Sequence, residues 1–251
     1  EAGALCSALA EALPSAGAAS PGWLESWRAV ADAVRAALDG VLDGEAELFE
    51  GTVLARLIAR LPDGSALHVG NSLPVRALDT FVGGAATTLA VSGNRGASGI
   101  DGVLSTALGA TAVRTGPTAL VIGDVSFLHD LGGLQIAARH RLPLLVVVIN
   151  NDGGGLFSFL PQAALGATFE TLFGTPHGLE LGGAVTMCGG RHVVARTRGE
   201  LGAAIEAWLA RPALTVVEVP SNRAATRALH AHLIAAACAA VHGRWGDAVA
   251  R

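Results

Sequence analysis

One pattern constrains this 251-residue chain more than any other. A short, almost wholly apolar run is followed by a cluster of small polar residues and then by a segment of helical period. Ala66–Val69 ends in Gly70-Asn71-Ser72, ahead of a helical stretch over Leu73–Phe81. Thr88–Val91 ends in Ser92-Gly93-Asn94-Arg95-Gly96, ahead of a glycine-rich helix over 99–114. Thr118–Ile122 ends in Gly123-Asp124, ahead of a helix reaching Arg141, and Leu144–Ile149 ends in Asn150-Asn151-Asp152-Gly153-Gly154-Gly155. A strand over Ala213–Val219 and a helix over Ala224–Val241 follow. Runs that are apolar on both faces and alternate with helices predict an α/β fold, a parallel β-sheet covered by helices on both faces. Ligands of such sheets bind beyond the carboxyl ends of the strands, which is where the polar clusters fall.

Composition narrows the function classes. Hydrophobic residues make up 51% and charged residues 15%, with 33 glycines, which suits tightly packed helices on a buried sheet and not disorder. A net charge of −4 with no basic cluster excludes a nucleic-acid partner. Cys6, Cys188 and Cys238 are far apart and odd in number; they read as reduced, mostly buried thiols of a cytoplasmic protein, not a disulfide set or a zinc site. No uninterrupted apolar run reaches membrane-spanning length and no signal peptide is recognisable, so no membrane insertion is expected. The first residue is Glu1, not methionine, which suits a fragment of a longer chain.

Residues 1–50 are rich in Ala and Leu, broken by Pro14–Pro21, with helical period from Trp23 to Leu42. They read as the tail of a preceding domain and a connecting helix. A helix over Thr52–Leu61 and the Pro62-Asp63-Gly64 turn then open the main domain, 51–251.

Asp124 and Asn151 each stand where an apolar strand ends, so a carboxylate and an amide oxygen project into one crevice. Gly153 can turn its backbone sharply and present a carbonyl there. Three oxygens of this kind suit Mg²⁺, which takes few protein ligands and completes its shell with phosphate oxygens and water. Each motif taken alone also fits a plain turn or a helix cap. No histidine among His129, His140, His177, His230 and His232 has metal-ligand spacing in a supporting motif, and none is assigned a catalytic role. His230 and His232 read as surface or packing residues of the last helix.

Gly123-Asp124 and Asn150-Asn151 bracket one strand–helix–strand unit, with 27 residues from Asp124 to Asn151. This resembles the thiamin diphosphate signature, which opens Gly-Asp-Gly and closes Asn-Asn; Val125 stands in place of the usual third glycine. Gly70–Arg76, Ser92–Gly102, Gly123–Leu131 and Asn150–Pro161 together resemble the C-terminal part of the 2-succinyl-5-enolpyruvyl-6-hydroxy-3-cyclohexene-1-carboxylate synthases of menaquinone biosynthesis. The likeness runs from about Trp23 to the C-terminus.

That resemblance implies a thiamin diphosphate-binding fold, with the preceding segment belonging to a central domain. It implies a transferase that decarboxylates 2-oxoglutarate and adds the remaining succinyl unit to isochorismate. Asp124, Asn151 and Gly153 would hold Mg²⁺, with Mn²⁺ as an alternative ion. Gly123, Ser126 and nearby N–H groups would bind the diphosphate, and Ile100 would be the apolar wedge that bends the cofactor. Ser72, Arg76 and Arg95 would meet substrate carboxylates, and Leu156, Phe157 and Leu160 would wall the reacting centre. Ordinary core packing remains open for Ile100 and the three wall residues, and a solvated helix position for Arg76.

The resemblance implies an N-terminal pyrimidine-binding domain, carrying the activating glutamate, that normally precedes this segment and is absent from residues 1–50. In the full-length enzyme, a homodimer or homotetramer, the second chain's copy would complete the site. The isolated chain is therefore expected to be inactive. Two other readings stay open, a domain or subunit of another thiamin diphosphate 2-oxoacid decarboxylase or synthase, and a non-catalytic remnant.

Overall fold

The structure is a computed structural model that describes residues 2–12, 22–45, 48–84, 87–97 and 99–245. The Pro14–Pro21 break and Ser98 of the Ser92–Gly102 block lie outside the described residues. The chain divides into two compact units, one of Glu1–Val41 with Leu233–Arg251, the other of Leu42–His232. The first contains α1 (Ala2–Ala12), which buries no side chain, most of α2 (Trp23–Gly44) and the end of α11 (Arg223–Trp245). Within it Trp27 meets Trp245 edge to face, ring centroids 5.0 Å apart.

The second unit holds six parallel strands, β1 (Ala66–Val69), β2 (Ala90–Ser92), β3 (Thr118–Gly123), β4 (Leu144–Asn150), β5 (Arg191–Val194) and β6 (Thr215–Pro220). They are ordered β2-β1-β3-β4-β6-β5. Helix α3 (Glu50–Ile58) precedes β1, and the α-helices between the strands are α4 (Leu73–Phe81), α5 (Val103–Val113), α6 (Asp124–His129), α7 (Gly132–His140), α8 (Ala167–Phe169), α9 (Gly182–Met187) and α10 (Arg198–Ala210). Because side chains alternate across a strand, Leu120, Ile122, Val146, Val148 and Val216 point to one face and pack on Leu104, Leu108 and Leu134 of α5 and α7. Ala119, Val121, Val147, Ile149, Val217 and Val219 fill the opposite face, also fully buried. There α4 packs on β3 and α10 packs on β6 and α3. Burying each such Val or Leu contributes roughly 1.5–3 kcal/mol, which is why the central strands read as unbroken apolar runs.

The structure departs from the sequence expectations at the sheet edges and helix ends. The second strand is Ala90–Ser92, exposed throughout, not a buried Thr88–Val91. Thr88 instead closes the Pro62-Asp63-Gly64 turn, donating its N–H to Asp63 Oδ1 (2.7 Å) and accepting from Gly64 N (3.0 Å). Helix α5 begins at Val103 because Gly102 sits at φ 64°, leaving Ile100 in the loop before it. The helix expected from Asp124 to Arg141 is broken after His129. At the break, Asp130 accepts the backbone N–H (2.7 Å) and hydroxyl (2.9 Å) of Ser105 across the helix pair. Cys6 and Cys238 are exposed and Cys188 half-buried, so the expected burial of the thiols does not hold. By length and composition α11 could cross a membrane, with a mean hydropathy of 1.3 in its most apolar window; reading for uninterrupted apolar runs passed over it.

Candidate functional site

A cavity of about 460 Å³ opens beyond the carboxyl ends of β1, β3 and β4. Four strand-to-helix connections line it. The first gives Asn71, Ser72 and Arg76, the second Arg95 and Ile100. The third gives Gly123, Asp124 and Ser126, and the fourth Asn151, Gly153, Leu156 and Phe157. Of the site residues expected from sequence, Leu160 alone lies off this wall; it is 41% exposed.

Asp124 is the buried centre of the site, 2% exposed. Its Oδ1 accepts the Val125 N–H (2.8 Å), so Val125 at the third motif position leaves this backbone bond intact. Its Oδ2 accepts the Gly153 N–H (2.9 Å) and lies 3.2 Å from Nε2 of His177. The Leu179 N–H donates to His177 Nδ1 (3.0 Å), so in the neutral ring Nε2 carries the proton and donates to Asp124. Asp152, at φ 57°, accepts the Gly178 (2.8 Å) and His177 (2.9 Å) N–H groups, and these hold its carboxyl below the usual range. His177, given no role from sequence, thus stands beside the central carboxylate from 53 residues away, with no local motif to reveal it.

The glycines after Asn151 are dictated by close approach. Gly153 has φ +127°, and a Cβ there would lie 1.9 Å from the Gly174 carbonyl oxygen. A Cβ on Gly154 would lie 2.2 Å from the Phe173 oxygen, and one on Gly155 2.5 Å from Asn151 Nδ2. The Gly153 carbonyl accepts the Gly155 N–H (2.9 Å), which leaves it one lone pair for another partner. Asn150 braces the loop from below. Its Oδ1 accepts the Asp152 N–H (3.1 Å) and its Nδ2 donates to Glu218 (2.8 Å), whose other oxygen meets His192 (2.8 Å).

At the other end, Ser72 adopts φ 69°, ψ −129°, a conformation that costs a non-glycine residue roughly 1–3 kcal/mol. Arg76 donates to the Ser72 carbonyl (2.7 Å) and Arg95 to Asn71 Oδ1 (2.8 Å). Asn71 in turn donates to the Asn94 (2.6 Å) and Gly99 (2.7 Å) carbonyls, fastening the Ser92–Gly102 loop to the end of β1. Asn71 lies within the Gly70–Arg76 motif, but its bridging role depends on strand adjacency that a single segment does not disclose.

Three buried polar atoms on the wall have no hydrogen-bond partner among the described residues, Asn151 Oδ1, Ser126 Oγ and Glu50 Oε2. Buried polar atoms are normally paired, so these await a ligand. Among the described residues no group of three or more His, Cys, Asp or Glu side chains is arranged to hold a metal ion. A cation here would be held by one carboxylate, an amide, a backbone oxygen and oxygens of its ligand, a donor set that fits Mg²⁺ and diphosphate. Glu50 was not foreseen, because it falls before the helix expected over Thr52–Leu61, in the segment that reads as the tail of a preceding domain, whereas the structure opens α3 on it. It is 2% exposed; burial first, and then the charge of Asp124, push its carboxyl up to about 7.

Comparison with known proteins agrees with this geometry. Residues 85–219 match the family described as thiamine pyrophosphate enzyme, C-terminal TPP binding domain. The 2-succinyl-5-enolpyruvyl-6-hydroxy-3-cyclohexene-1-carboxylate synthase of Geobacillus kaustophilus is 49% identical over 208 residues, 83% of this chain and 36% of that protein. The synthase of Rubrobacter xylanophilus is 43% identical over 231 residues, 92% of this chain and 39% of that protein. The chain therefore spans well under half the length of these relatives. Benzoylformate decarboxylase from Polynucleobacter necessarius shares the fold, with a TM-score of 0.59 at 20% identity over 70% of this chain and 33% of that one. The chain belongs to the thiamine pyrophosphate enzymes, as a C-terminal TPP-binding domain homologous to the 2-succinyl-5-enolpyruvyl-6-hydroxy-3-cyclohexene-1-carboxylate synthases.

Proposed function

We propose that this chain is the cofactor-binding part of a menaquinone-pathway synthase that decarboxylates 2-oxoglutarate and joins the succinyl unit to isochorismate. The observation that carries this reading is the polarity of one cavity. Asp124 and the unpartnered Asn151 Oδ1 and Ser126 Oγ stand at one end, and Arg76 and Arg95 at the other.

Asp124, Asn151 and the Gly153 carbonyl would hold Mg²⁺, with Gly123 and Ser126 at the diphosphate. His177 and Asn150 keep that loop in place through the bonds described above. Thiamin diphosphate, when bound, supplies the carbon centre that accepts electrons as CO₂ leaves. Arg76, Arg95 and Ser72 bind and orient substrate carboxylates, for which the guanidinium fork is suited. Ile100 is the apolar wedge against the cofactor, and Leu156 and Phe157 wall the reacting centre. Residues 51–251 form the cofactor domain in this reading, and 1–50 belong to a central domain. In the full-length enzyme of this reading a pyrimidine-binding domain precedes this segment, and the one that completes this site belongs to the second copy in a cytoplasmic homodimer or homotetramer.

The test combines this chain with the pyrimidine-binding domain of a relative and measures product formation with isochorismate. Turnover with 2-oxoglutarate and little with pyruvate is expected. A preference for pyruvate would move the chain to an acetolactate synthase-like enzyme.

A further inference from the structure

Glu50 lies in none of the strand-end clusters that build the cavity. It opens α3, yet its side chain lines the same space as Asp124, Asn151 and Ser126. It is 2% exposed, and Oε2 is buried without a hydrogen-bond partner. A carboxyl with one oxygen left unpartnered in such a place is costly to keep, and a leucine would fill the volume without that cost. No cation of the cavity answers it, since Arg76 is turned to the Ser72 carbonyl and Arg95 to the Asn71 side chain. The ionic neighbour that acts on it is Asp124, of the same sign.

Burial favours the neutral acid and outweighs the opposing hydrogen bond from the residue's own backbone; the neutral acid, unlike a carboxylate, has a proton to donate. An anionic oxygen is the partner such a group recognises. The side of the cavity it shares with Asp124 indicates a phosphate oxygen and not a substrate carboxylate. We propose that the buried Glu50 carboxyl donates a hydrogen bond from Oε2 to a phosphate oxygen of the diphosphate bound beside Asp124. This rests on the reading of the cavity as a Mg²⁺–diphosphate site.

The experiment is calorimetric titration of the chain with inorganic diphosphate, with and without Mg²⁺, for wild type, Glu50→Gln and Glu50→Leu. Circular dichroism checks that each variant is folded. Glutamine keeps an N–H donor at the same reach and is expected to bind within about threefold of wild type. Leucine removes the donor and is expected to weaken binding about 10- to 100-fold, the worth of a hydrogen bond to a charged group. If Glu50→Leu binds like wild type, the proposal fails. If Glu50→Gln loses as much as Glu50→Leu, a carboxylate is required and the donor role is wrong. Should Glu50→Leu not fold, Glu50→Ala, which also removes the donor, takes its place with the same two outcomes. Absence of Mg²⁺-dependent diphosphate binding by the wild type would overturn the reading of the cavity itself, and this inference with it.

Discussion

Substituting Gln for Glu50 is expected to remove a loss of stability that the wild-type chain suffers as pH rises from 4.5 to 7. The folded-state carboxyl titrates at about 7 against 4.5 for the free group, so between these values the native state binds the extra proton. Stability from this group is therefore fully present below 4.5, falls as pH climbs, and is lost above about 7. At about 1.4 kcal/mol per decade the full effect is about 3 kcal/mol, an order-of-magnitude figure. His68 and His230, whose burial depresses their basicity, act in the opposite direction, destabilising at low pH. Both are present in either protein, so the difference between wild type and Glu50→Gln isolates Glu50. Urea denaturation at pH 4.5 and pH 8 measures it. Glu50→Gln should gain on wild type by about 3 kcal/mol across that interval. Parallel pH profiles would show that Glu50 is not the strained acid the structure describes.

The second large effect concerns Gly153. Alanine there brings a Cβ to 1.9 Å from the Gly174 carbonyl oxygen at a φ of +127°. Neither fault can be relieved by a side chain moving, since the obstacle is backbone. A loss of about 3 kcal/mol or more is expected, from strain and overpacking together. Gly109, inside α5 with nothing within 4 Å of an added Cβ, is the control. Alanine there should be neutral or stabilise by up to about 1 kcal/mol, as alanine does in a helix interior. Equal unfolding midpoints for the two variants would contradict the packing of the loop after Asn151.

The central strands were legible because burial on both faces leaves a continuous Leu/Val/Ile run, as in β3 and β4. The edges were not. β2 is three exposed residues, and β5 carries Arg191 and His192 where an apolar run would be the signal. Helix α10 went unread although Thr197 and Glu200 form a capping box, a signature visible in the four residues themselves. The strand-end residues Asp124, Asn151 and Gly153 could be brought together from sequence because β3 and β4 are consecutive neighbours. Glu50 and His177 could not, since their place in the site comes from contacts between distant segments. Asn71 shows the same limit within a motif, for its partners lie 23 and 28 residues on.

The most direct measurement is equilibrium dialysis of the chain against thiamin diphosphate, with Mg²⁺ and with excess chelator, for wild type and Asp124→Ala. Wild type should bind only when Mg²⁺ is present. Asp124→Ala should weaken that binding by at least the ~10- to 100-fold typical of outer-shell partners of metal ligands. Binding that ignores Mg²⁺, or that survives the loss of Asp124 unchanged, would contradict the assignment of this cavity.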